Sequence, residues 1–138
     1  MNTKDLEQLS PDQIVKDWLD TLDGLVADIS RWVEDQQGWS VTLSDKGISE
    51  EALKTYVAPV LTINAPDGRL ILEPVARIVF GGTGTVELYA WPTLYRVRLL
   101  HQVNADGWVV LTDSGITLKQ PWNKITFIDL ARELLGAS

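Results

Sequence analysis

Residues 10–38, SPDQIVKDWLDTLDGLVADISRWVEDQQG, decide the architecture. Ser10 suits an N-cap, Pro11 suits the first helical position because its φ is already helical, and Gln13 stands three residues after the cap, the spacing of a capping box. Beyond it Ile14, Trp18, Leu22, Leu25, Ile29 and Trp32 recur every three or four residues, and Val15, Leu19, Val26 and Val33 widen the stripe. At 100° per residue these positions fall within one arc of roughly 140°. Asp12, Lys16, Asp17, Asp20, Asp23, Asp28, Arg31, Glu34 and Asp35 all lie outside it. Gly38 offers the left-handed residue that closes many helices, which predicts an end near Gln37 and a length of about 40 Å. A cylinder that long with one apolar side must lie along a partner surface.

That surface is a sheet, because the periodicity switches to two after the glycine. Residues 39–43 read as a short strand with Trp39, Val41 and Leu43 on one face and Ser40 and Thr42 on the other. Residues 44–55 fit a helical turn at Ser49–Lys54 or a polar loop with a poorly formed strand. Strands follow at 56–63, 69–80, 85–91, 94–103 and 108–112, separated by turn chemistry at 64–68, 81–84, 92–93 and 104–107. Pro74 cannot donate to a ladder, which predicts an edge or a bulge there. A last amphipathic helix begins near Thr126, or one or two residues earlier, and runs to Leu135, with Phe127, Leu130, Ala131, Leu134 and Leu135 inward and Gly136 as its stop. Strands gathered between two helices, rather than alternating with them, predict an α+β fold: a long N-terminal and a short C-terminal helix on an antiparallel meander of about five to six strands.

A chain of 138 residues with 45% hydrophobic and 22% charged residues fits one globular domain spanning 1–138, with 1–9 expected to be a loosely packed segment. The absence of cysteine excludes disulfides, thiolate metal sites and cysteine nucleophiles. No apolar run approaches the ~20 residues of a membrane helix, and Met1–Glu7 lacks the pattern of a secretory leader, so no membrane association and a cytoplasmic location are expected. The charge is uneven: residues 1–53 hold twelve acids and four bases, whereas 54–138 hold seven acids and eight bases. Net acidity argues against nucleic acid, whose phosphates need clustered Lys and Arg.

The turn at Pro92–Thr93 sets a register for the hairpin around it. It pairs Val86 with Leu99, Glu87 with Arg98, Leu88 with Val97, Tyr89 with Arg96 and Ala90 with Tyr95. A one-residue slip would mix apolar and polar faces. Glu73, Arg77, Glu87, Tyr89, Arg96 and Arg98 then share one polar sheet face. Guanidinium forks suit carboxylate or phosphate, so this group is the candidate ligand site, against the simpler reading of cross-strand ion pairs in water. Asp17, Asp20 and Asp28 offer an acidic helix face, and Trp91 and Trp122 in turns offer aromatic anchors, as candidate partner contacts.

Other motifs are incomplete. Gly81-Gly82-Thr83-Gly84 lacks the lysine and the following helix of a phosphate loop. His101, the only histidine, has no GxSxG serine to serve and sits by alternation beside Tyr95, Val97 and Leu99. Glu73 and Glu87 lack the acid-x-Lys partner of a metal-dependent nuclease. No metal site and no cofactor are therefore expected. The composition and motifs favour a non-catalytic interaction or regulatory domain that binds a protein or a second copy of itself as a homodimer. The alternative is a domain, or an enzyme, that takes an anionic small molecule on the Arg/Glu/Tyr face.

Overall fold

The computed structural model describes residues 10–79, 82–93, 95–102, 107–111 and 120–136. Helix α1 spans Pro11–Glu34, and strands β1 (Ser40–Glu50), β2 (Lys54–Ala65), β3 (Gly68–Ala76), β4 (Thr85–Trp91), β5 (Arg96–Gln102), β6 (Gly107–Leu111) and β7 (Gln120–Pro121) follow before helix α2 (Lys124–Gly136). The strands form one antiparallel meander in sequence order, six of them full strands and β7 a two-residue pairing. The fold is α+β, as its sequence pattern predicts. The 1–9 segment, the end of the 69–80 strand, Gly81, Leu94, Val103, the 104–106 turn and Thr112 lie outside the described residues.

The Ser10 hydroxyl accepts from the Gln13 amide at 3.1 Å, the first half of the predicted capping box. The Gln13 side-chain amide instead donates to Asp17 at 2.9 Å, so the reciprocal half is not what holds it. Trp18, Leu22, Leu25, Ile29 and Val33 are buried at spacings of four and three, and the other stripe residues pack beside them. The helix stops three residues before the predicted end, at a cap on Asp35. Gly38 does adopt a left-handed conformation, φ +82°, but in the turn that follows, where Trp39 donates to Gln36. Asn123 caps α2, its side chain accepting from Thr126 and its carbonyl from Phe127.

The face that the helices cover is assembled by register. Leu61 and Ile63 on β2 lie opposite Leu72 and Leu70, which continue through Leu88 and Ala90 on β4 to Val97 on β5. Leu99 then faces both Val86 and Val110. Each of these is at most 3% exposed. The register predicted for β4 and β5 holds for Val86/Leu99, Glu87/Arg98, Leu88/Val97 and Tyr89/Arg96; Ala90 and Tyr95 lie beyond the ladder. Pro74 sits at a register shift before Ala76, the bulge its missing N–H predicts.

The largest departure from the sequence reading is β1. Residues 44–50 neither coil into a helical turn nor form a loop: they continue the strand to Glu50 in eleven unbroken pairs with β2. Along β2 the buried positions change parity, from Tyr56 and Ala58 to Leu61 and Ile63, while the register with β1 never slips. Twist of the ribbon about its own axis accounts for this, and two-stranded ribbons twist most. β2 meets β3 only from Leu61 onward, so Pro59 interrupts no ladder on that side. Val41 and Leu43, read as sharing a face with Trp39, are exposed, Leu43 at 60%.

Candidate functional site

On the sheet face away from the helices, Glu73 and Glu87 stand directly opposite each other on β3 and β4. Opposed like charges repel, and Arg96 on β5 lies between them, 3.7 Å from Glu73 and 3.9 Å from Glu87. Its guanidinium also stacks 3.9 Å above the Tyr89 ring, a cation–π contact. The Tyr89 hydroxyl donates to Glu73 at 3.5 Å, and burial followed by the Glu73 charge raises its pKa. Lys46, reaching from β1, completes the group at 3.5 Å from Glu73. Four of the six predicted residues are thus brought together, with two carboxylates answered by two cations. Arg98 lies beside them at the surface, opposite Glu87, without an ion pair among the described residues. Lys46 escaped the sequence reading because its segment was not recognised as a strand.

Arg77 is not part of this group. It lies beyond the register shift at Pro74, just past the end of β3, where the Glu50 carboxylate accepts from the backbone N–H of Arg77 at 3.0 Å and of Ile78 at 2.9 Å, and from the Tyr56 hydroxyl at 2.5 Å. Glu50 therefore clasps the turn between β1 and β2 to the segment leaving β3. Burial, and then the bond to Glu50, hold the Tyr56 pKa well above the ordinary tyrosine range; burial lowers that of Arg77, against the favourable charge of Glu50. Beneath them Trp18 turns its buried indole N–H toward the Tyr56 hydroxyl without completing a hydrogen bond. Trp18 also packs 6.0 Å from Trp108, which meets His101 edge-on at 5.0 Å. His101 Nδ1 lies 2.7 Å from the Thr83 hydroxyl, and its pKa is lowered by burial and then by Arg77. The cluster is a packed end of the core.

The other predicted contacts separate. Asp17 and Asp20 are exposed on α1, Asp17 accepting from Gln13 and Asp20 lying 3.5 Å from Lys16, while Asp28 pairs with Arg31. Trp91 is 57% exposed, as an aromatic anchor would be. Trp122 is not: it packs 5.7 Å from both Trp32 and Phe127, closing an aromatic triangle between the two helices, and its indole N–H is buried. A half-open cavity of about 580 Å³ lies where the end of α1 meets α2, lined by Gln36, Trp39, Asp67 and Arg132 among others. Its charged groups sit at an exposed rim, so it lacks the enclosed apolar wall that ligand sites use.

A further surface carries no sequence motif. β1 is the outer strand of the sheet, and among the described residues no strand pairs with its outer edge. Residues 40–45 are all exposed. Over Ser40-Val41-Thr42-Leu43-Ser44 the strand carries no charge and no proline, and alternates apolar with hydroxyl side chains. Exposed edges of this kind present unpaired N–H and C=O groups and are normally blunted by charge, proline or a bulge. Charge appears only beyond this stretch, at Asp45 and Lys46.

The chain matches no family model, no curated protein and no solved structure. Function has to be argued from these surfaces.

Proposed function

We propose that the chain is a non-catalytic protein-interaction domain that receives an extended strand on the outer edge of β1. The observation that carries this reading is the uncharged five-residue edge of Ser40–Ser44, exposed on both faces and, among the described residues, paired with no strand on its outer side. In strand addition, main-chain hydrogen bonds supply affinity and alternate side chains supply selectivity. Val41 and Leu43 are the alternate apolar side chains such a strand would cover. The Arg/Glu/Tyr face supports an anionic ligand less well, because Arg96 and Lys46 are already engaged by Glu73 and Glu87. Among the described residues no helix is long and apolar enough to cross a membrane, and a cysteine-free interaction domain suits a reducing, cytoplasmic setting.

The reading is tested by purifying the tagged protein from its native cells in three forms: wild type, Leu43→Lys and Arg98→Glu. Leu43→Lys places a charge on the edge, and Arg98→Glu reverses one on the sheet face. Loss of bound protein with Leu43→Lys and retention with Arg98→Glu is the expected result. The opposite pattern would move the interaction to the sheet face.

A further inference from the structure

Resting on that reading, we infer that the strand added to β1 is β1 of a second copy, antiparallel, with Thr42 of each protomer on the two-fold axis. A symmetric dimer requires one patch to be its own complement. For two antiparallel edges related by a two-fold perpendicular to the sheet, facing residues share a side of the sheet. Their numbers therefore sum to twice that of the central residue. The centre can be chosen by what each choice pairs.

Centring on Thr42 sets Val41 against Leu43 of the partner, twice over, and Ser40 against Ser44, also twice. Both exposed apolar side chains are covered by each other, and every pair is matched in polarity. Centring on Leu43 sets Val41 against Asp45, and centring on Ser44 sets Leu43 against Asp45. Centring on Asp45 or Lys46 opposes like charges directly, which destabilises a strand pair. Centring on Val41 sets Leu43 against Trp39, which precedes the strand and packs on the core. Only the Thr42 register covers Val41 and Leu43 with each other inside the strand and leaves Asp45 and Lys46 beyond the paired segment. A charged or proline-bearing peptide would match this edge less well than the edge matches itself.

Five residue pairs bury less than the about 1,200–2,000 Å² of a standard stable interface, so the dimer is concentration-dependent. The absence of cysteine makes its register measurable. In Thr42→Cys the two new thiols face each other across the axis, with Cα atoms about 4.5–5.5 Å apart, within the about 4.4–6.8 Å that a disulfide spans. In Ser44→Cys they are four residues out of register, more than about 13 Å apart. Each full-length variant is oxidised with diamide over a range of concentrations, while wild type and Leu43→Lys are followed by sedimentation velocity.

The expected result is a cross-linked dimer for Thr42→Cys and none for Ser44→Cys. Wild type should shift from monomer to dimer with concentration, and Leu43→Lys should raise the midpoint by roughly tenfold or more. Equal cross-linking at both positions, or cross-linking at Ser44→Cys alone, overturns the register. A wild type that stays monomeric at every concentration overturns self-pairing. If Leu43→Lys nevertheless abolishes capture of another protein, the strand-addition reading survives without it; if it changes neither, both fail.

Discussion

The central hairpin of this sheet, β4–β5, and the hairpin at its edge, β1–β2, are built by the same antiparallel pairing and behave oppositely. In β4–β5, Val86, Leu88, Val97 and Leu99 are at most 2% exposed, and helices and neighbouring strands surround them. In β1–β2 the ladder is longer, yet only Ile48 of β1 is buried. Burial of one face is what makes register legible and energetically steep, because a slip there moves every apolar side chain into water. The β1–β2 ribbon is held instead by backbone pairing, by twist and by the Glu50 clasp. Among the described residues no strand pairs with its outer edge.

The comparison breaks most visibly at Gly84, which leads into β4. Its φ is +140°, and a Cβ there would lie 2.3 Å from the Trp18 ring. Gly84→Val should cost about 4 kcal/mol from backbone strain and overpacking together, read as a lowered urea midpoint. Next comes a matched pair of leucines. Leu88→Ala, at a site with no exposure, should cost about 3 kcal/mol, whereas Leu43→Ala, 60% exposed, should change monomer stability by no more than about 0.5 kcal/mol. Similar losses at the two sites would remove the distinction between the hairpins.

Smaller effects sharpen it. Glu50→Ala leaves the backbone N–H groups of Arg77 and Ile78 and the Tyr56 hydroxyl without their acceptor. It should cost about 2 kcal/mol and speed hydrogen exchange at the β1–β2 turn before exchange in β4. His101 on β5 gives the weakest signal. Its pKa is lowered in the fold, so the unfolded chain binds the proton more readily. Its contribution is complete above the unfolded value of about 6.5 and is lost as the pH falls through the folded value. His101→Gln should flatten the fall in unfolding free energy below about pH 6.5; an unchanged slope would show that the ring is accessible to protons in the native state.

What could be read from sequence follows the same division. The α1 stripe, the four β4–β5 pairs and the bulge at Pro74 were legible because each obeys a burial period or a backbone prohibition. Residues 44–50 were not, since Ser-Asp-Lys-Gly-Ile-Ser-Glu holds a single apolar residue besides glycine, Ile48, too few to impose alternation, and becomes a strand through pairing with β2. That omission hid Lys46 and Glu50. Arg77 was misplaced for a separate reason: period-two counting from Glu73 carries across the register shift between Pro74 and Ala76. The polar face was half-legible: its members could be listed, but the opposition of Glu73 and Glu87, which makes Arg96 a structural bridge, depends on the β3–β4 register. Trp122 looked like a loop anchor because its packing partners, Trp32 and Phe127, come from two helices distant in sequence.

Residue-resolved amide hydrogen exchange at low and high protein concentration tests the central claim, that the β1 edge is open and accepts a strand, most directly. In a ladder with one free side, every second amide points outward. In dilute protein, alternate amides of residues 40–44 should exchange quickly while those of β4 and β5 stay protected, and the fast set should slow as concentration rises. Protection of every amide of residues 40–44 in dilute protein would show that the edge is already covered, and would contradict the account.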